Sequence, residues 1–274
     1  MSKTFKIALA VSVLCVLLLI ASLVFGIINV VDYFQEQDAV YDNVLNYVDA
    51  LPRQGEIAYY ISDEIILPSG ERIDVPYQYD VIYLSKDNIY VAYTTSDSKK
   101  QVLRTDYNFE NEELIFETQT RNQINMSDEK TIIYYFGDAV YVHHLDTGKT
   151  EEYTNVGYNT VYNALVNTSR YTIKMYDSYT VCDNDGSMLF PLNSYIKEDK
   201  YFCEISEMDE TSLSLNNAYI VGNDIYVDVL VYVDTFSSDN ILLTYKFDPE
   251  TAKVTYIGYC TTYYSYSYDV FVLN

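Results

Sequence analysis

Asp87-Asn88-Ile89-Tyr90-Val91 sets a tight turn against a short apolar and aromatic run, and the same grammar returns four more times. The other copies are Gly137-Asp138-Ala139-Val140-Tyr141-Val142, Asp177-Ser178-Tyr179-Thr180-Val181, Gly222-Asn223-Asp224-Ile225-Tyr226-Val227 and Asp269-Val270-Phe271-Val272. Asp, Asn and Gly tolerate reversals of the chain, while Ile, Val and Tyr suit a pleated, packed strand. The copies centre on residues 90, 141, 180, 226 and 271, a spacing of about 45, which is the length of one four-stranded propeller blade.

Working outward, a second turn tends to follow each copy: Asp146-Thr147-Gly148-Lys149, Asp183-Asn184-Asp185-Gly186 and Asp248-Pro249-Glu250-Thr251. Strand, turn, strand, turn, strand is a meander. The fifth copy reaches Asn274 with no room for outer strands, whereas Ile57 to Ile61, Glu64 to Leu67 and Glu71 to Val75 read as strands ahead of the first copy. These leftovers complete one blade if the two ends of the domain pair, and closure of that kind removes an open sheet edge. The expectation is an all-β, β-propeller-like domain over residues 55–274, with five blades closed by both termini; a β-sandwich is the alternative. From Glu56 onward helical periodicity disappears, so no helix is expected beyond Gly55.

The Ile-Tyr-Val strands and the Asp-Thr-Gly-Lys type of turn resemble those of bacterial extracytoplasmic β-propeller repeat proteins, over roughly Gly55 to Asn274. The absence of Trp separates the chain from the Trp-Asp repeats and from the sialidase-type Asp-box. The resemblance implies a fold and leaves activity open, because propellers host enzymes and binding platforms alike.

Ahead of the domain, Ile7 to Val31 is interrupted only by Ser12, Ser22, Gly26 and Asn29. As a helix it spans ~37 Å, more than the ~30 Å hydrocarbon core of a bilayer. Lys3 and Lys6 precede it and Asp32, Glu36 and Asp38 follow, which predicts residues 1–6 in the cytoplasm, a single-pass signal-anchor over residues 7–31 in the cell membrane, and the rest outside. A cleaved signal peptide, with Val24 and Gly26 at the cleavage site, is the alternative and leaves the domain secreted. Cys15 lacks the small residues that a lipoprotein site needs before it. Within residues 32–54, Phe34, Tyr41 and Val48 recur every seven residues, with Val44 and Leu51 on the same face and Asp38, Asp42, Asn46 and Asp49 opposite. This predicts a short amphipathic helix, packed on the domain or paired with another copy, ended by Pro52 and Gly55.

The chain has 17 basic and 40 acidic residues, a net charge of -23, which repels phosphate backbones and excludes nucleic acid as a partner. It carries 32 Tyr, a residue whose ring packs while its hydroxyl stays wet. Of four Cys, three lie in the exported part; a Cys182–Cys203 bridge and small buried core residues are the two readings.

No catalytic, cofactor-binding or metal-binding residue stands out. His143 and His144 adjoin in a strand, so they point to opposite faces and do not converge on one metal. Asp183-Asn184-Asp185-Gly186 opens like a calcium loop, but Ser194 stands where that loop needs Glu, and a hairpin turn fits better. Asn125-Met126-Ser127 and Asn167-Thr168-Ser169 match the glycosylation sequon. The leading functional expectation is therefore a non-enzymatic, membrane-anchored binding or scaffold protein, partnered by the lipid bilayer through residues 7–31 and by an extracytoplasmic protein or glycan. A carbohydrate-active hydrolase with paired carboxylates and a structural subunit of an envelope complex are the alternatives.

Overall fold

The structure, a computed structural model, describes residues 3–119, 123–167, 169–208, 211–233, 239–263 and 268–273, with no account of the side chains of residues 3–17, 36, 37, 239 and 263. Thr168 and the side chains of Lys3, Lys6, Cys15 and Glu36 thus lie outside what is described. The described chain is mostly β-strand, arranged as the five blades of a β-propeller behind one long N-terminal helix.

That helix, α1, runs from Lys3 to Asp49 without interruption, so the apolar span and the amphipathic stretch form one rod of about 70 Å. It is long and apolar enough to cross a membrane. Leu18, Leu23, Phe25 and Ile27 stand exposed on it. Its last turns behave differently: Tyr41, Val44 and Val48 are buried with Leu51 against the propeller, while Phe34 is exposed.

After the linker come β1 (Ile57–Ile61), β2 (Glu64–Ile66) and β3 (Arg72–Asp74). The first complete blade is β4 (Asp80–Leu84), β5 (Ile89–Thr94), β6 (Lys100–Thr105) and β7 (Glu113–Thr118). The second is β8 (Ile124–Asp128), β9 (Thr131–Phe136), β10 (Ala139–His144) and β11 (Lys149–Thr154), and it is followed by helix α2 (Tyr158–Val166). The third has three strands, β12 (Tyr171–Met175), β13 (Tyr179–Asp183) and β14 (Met188–Pro191), and then helices α3 (Leu192–Ile196) and α4 (Lys200–Ser206). The fourth is β15 (Thr211–Val221), β16 (Asp224–Val233), β17 (Asp239–Asp248) and β18 (Lys253–Tyr263). Last comes β19 (Asp269–Val272), which pairs with β1 in the order β19-β1-β2-β3.

This last sheet is the closing blade that the sequence predicts, with Ile57 opposite Val272 and Tyr60 opposite Asp269. The five sequence copies fall one to a blade but not at one station. Those at Tyr90, Thr180 and Tyr226 lie in second strands, that at Tyr141 in a third strand, and that at Phe271 in an innermost strand. Four of the five lie in strands with buried residues, most of all β5 and β16, whereas β19 is exposed at Asp269 and half-buried beyond it. Outer strands read differently: no residue of β7 or β11 is buried, because these strands form the edge of their sheets.

The expectation of no helix beyond Gly55 fails at three short helices. In α2, Tyr158, Val161, Tyr162 and Leu165 have helical spacing and pack against the second blade, but Tyr, Thr and Val are strand formers that hide this periodicity. Helix α4 starts at an Asp199 cap whose carboxylate accepts from the Tyr201 and Phe202 N–H groups (2.9 and 3.2 Å). Helices α3 and α4 supply Leu192, Ile196, Phe202 and Ile205 to the same core that receives Tyr41, Val44 and Val48 of α1. The Tyr47 hydroxyl donates to Glu204, the Tyr259 hydroxyl donates to Asp49, and the Arg53 guanidinium lies 4.2 Å from the centre of the Tyr259 ring. The rod is thus fixed to the rim of the fourth blade.

Strand β12 runs opposite to β15. Tyr179, the partner of the last residue of β12, donates to the Asn216 carbonyl (3.0 Å), while Arg170 ahead of β12 reaches Glu250 in the turn after β17 (2.9 Å). Helix α2 delivers the chain to the far end of β15, where the Gly222 N–H donates to the Val166 carbonyl (2.9 Å). A three-stranded blade fits this reversal, because an odd number of antiparallel strands restores the chain direction for β15.

Candidate functional site

Five inner strands, β4, β8, β12, β15 and β19, surround a central channel, and α2 lies along it as a sixth wall. The channel keeps a cavity of about 530 Å³. Its walls include Val81, Val166, Val221 and Val270 together with Tyr83, Tyr162 and Tyr219. Of the described residues that line it, Asp269 alone is a carboxylate.

Asp269 is exposed at the start of β19, yet partial burial by the surrounding walls raises its carboxyl above the usual range. Tyr162 and Asp269 are within electrostatic reach, and Tyr83 and Tyr162 likewise. Burial pushes the Tyr83 hydroxyl up to about 12, with Glu129 and Asp128 adding to the effect. The Tyr158 ring stacks beside Tyr162 (6.3 Å between centres), and its hydroxyl donates to the Ile133 carbonyl (3.2 Å), which fixes α2 to the second blade.

A second polar constellation is sealed in the wall between the fourth and closing blades. Asp228 on β16 is fully buried. Thr244 donates to it at 2.8 Å, Tyr268 at 3.1 Å and Tyr219 at 3.4 Å, while the Tyr59 hydroxyl donates to Thr244 at 2.9 Å. Burial raises the Asp228 carboxyl to about 7, and the three hydroxyl donors oppose that rise. Asp228 points into packed protein and is not among the residues that line the channel. Its partners come from β15, β17 and the residue before β19, and Tyr59 of β1 joins the network through Thr244.

The residues weighed in the sequence lie elsewhere. His143 rests on the Phe116 ring (4.8 Å between centres) with its Nδ1 2.8 Å from the Thr150 hydroxyl, and burial lowers its pKa. His143 and His144 face different cross-strand partners on β11, Thr150 and Lys149. Asp183 to Gly186 make the β13–β14 hairpin turn: Asp183 accepts from the Gly186 N–H (3.0 Å) and from the Ser187 N–H (2.8 Å), and Gly186 takes φ +83. Cys182, Cys203 and Cys260 are free thiols; Cys182 and Cys260 are buried, and Cys203 donates to the Lys197 carbonyl (3.2 Å). Asn125 and Asn167 both stand on the channel wall, and Asn167 accepts from the Ser169 N–H (2.9 Å). No residue of α2 was singled out as a site in the sequence, although Tyr162 is central here; its signal was the helical spacing from Tyr158.

Comparisons with known proteins add little to this geometry. No family model matches the chain, and no curated protein matches it. Among solved structures, one of prolyl endopeptidases, described in terms of inter-domain dynamics in catalysis and specificity, aligns with a TM-score of 0.30 at 12% identity. The alignment covers 82% of this chain and 44% of that one, so the chain spans under half the length of the structure it matches. At that level of likeness nothing about activity follows.

Proposed function

We propose that the chain is a membrane-anchored binding module, held in the cell membrane by α1 and presenting its propeller on the extracytoplasmic side to a protein or glycan. The observation that carries this reading is the channel lining. A hydrolase acting through paired carboxylates needs two such groups about 5 to 9.5 Å apart. The described lining offers Asp269 alone, among Tyr and Val side chains that suit contact better than bond cleavage. Tyr gives large contact area at low entropic cost. The apolar side chains exposed on α1 from Leu18 to Val31 support the anchor, since soluble proteins rarely leave so long a greasy surface uncovered.

The test uses the full chain reconstituted in lipid nanodiscs and screened against envelope glycans and membrane extracts. Saturable retention of one partner without turnover is the expected result. Hydrolysis of a glycoside that Asp269→Asn abolishes would replace this reading with the enzymatic one. Protease added to intact cells is expected to remove the propeller; a propeller that survives would overturn the extracytoplasmic placement.

A further inference from the structure

The channel has a sign. Tyr83 lies in the field of Glu129 and Asp128, and Tyr162 in that of Asp269. Tyr60, the cross-strand partner of Asp269, lies in the fields of Asp63, Asp80 and Asp269. The charged groups that act most strongly on these three rings are acidic. Asp80 is answered by the Lys100 ammonium at 3.5 Å. Asp269 has no ion pair and no hydrogen-bond donor among the described residues.

A carboxylate on the cavity wall projects its field into the cavity, and walls of lower dielectric than water concentrate that field. The aromatic faces beside it are electron-rich and attract cations as well. A cavity of about 530 Å³ falls in the range of sites for small molecules. An anion is repelled here, and a neutral sugar gains nothing from the field. A bare divalent ion is poorly served, since calcium takes about six to eight oxygen ligands and Asp269 is the one carboxylate among the described lining residues. What remains is a cation that carries its own apolar surface. We propose that the channel binds a small organic ammonium ion, with Asp269 as its counter-ion and the Tyr162 and Tyr83 rings as its walls. This rests on the binding reading above and names the ligand class.

The experiment titrates choline into the full chain, in nanodiscs of phosphatidylglycerol so that no lipid supplies an ammonium group. Its neutral isostere, 3,3-dimethylbutan-1-ol, is titrated in parallel, and saturation is followed by ligand-detected NMR. Choline is expected to bind at least ~10-fold more tightly than the alcohol. Asp269→Asn is expected to reduce that preference while leaving the alcohol unchanged, and Tyr162→Leu to weaken choline by roughly 2- to 30-fold, the span of a cation–π contact. Asp146→Asn, in the distant turn after β10, serves as the folded control and is expected to bind like the parent chain. Equal affinity for choline and the alcohol overturns the ammonium assignment and leaves a binding channel standing. Failure of both to bind a chain that keeps its β circular dichroism overturns the channel as a ligand site altogether. Competition by phosphatidylcholine vesicles, but not by free choline, would move the source of the ammonium to a lipid headgroup and overturn the free-ligand form of the proposal.

Discussion

The third and fourth blades are neighbours in the ring and differ in almost every respect. Strands β15 to β18 have 10 or 11 residues each, whereas β12 to β14 have four or five. Eight of the ten residues of β16 are buried, while β14 leaves Met188 and Leu189 exposed. The fourth blade receives α1, α3 and α4 on one side and encloses Asp228 on the other. The third blade fills a place in the ring, turns the chain around and yields its fourth-strand position to α3 and α4. Load explains the difference. A blade that must hold both the long N-terminal helix and the seam of the ring needs area, and buried area is what strand length supplies.

The comparison breaks most easily at the core of the fourth blade. Ile225→Ala removes a fully buried side chain that packs in the core shared with α1, and an unfolding free energy lower by about 2 to 5 kcal/mol is expected in urea titrations of the full chain. A loss below about 1 kcal/mol would show that the long blade is not the stabilising one.

A smaller effect, with a definite sign, is expected at Asp228. Its carboxyl titrates near 7 in the folded chain against an ordinary value of 3.8, so between those limits the folded state holds a proton that the unfolded state has released. Stability from this group is therefore fullest below about pH 4, falls as pH rises towards 7 and is level above that. Asp228→Asn keeps the shape and hydrogen-bonding capacity without the charge. It is expected to flatten the pH dependence of the melting temperature over that window and to raise the melting temperature at pH 8. An unchanged pH profile would mean that Asp228 is not the group that titrates.

The smallest effect is expected in the third blade, where Met188→Ser exchanges one exposed side chain for another and should stay within about 0.5 kcal/mol of the parent. A cost comparable to that of Ile225→Ala would place an unseen burden on β14.

Much of this architecture was legible because strands and turns are written locally. Asp-Asn or Gly-Asp ahead of Ile-Tyr-Val marks a reversal and a buried strand within six residues, whatever lies elsewhere. Where the reading slipped, the signal was local but ambiguous. Tyr158 to Val166 has helical spacing written in strand-forming residues, and the Asp199 cap precedes a helix of only seven residues. The site was harder, since no single segment of the channel carries a motif; its polar groups sit one or two to a strand.

The sequence by itself determined the blade count, the closure of the ring by its two ends and the apolar rod, because periodic burial and turn chemistry act over a few residues. Only the tertiary structure decided that Tyr59, Asp228, Thr244 and Tyr268 would share one buried network and that Tyr162 and Asp269 would line one channel. Such meetings join residues as far as 185 positions apart. Ring closure and the reversed third blade bring them together, and no neighbour in the chain announces them.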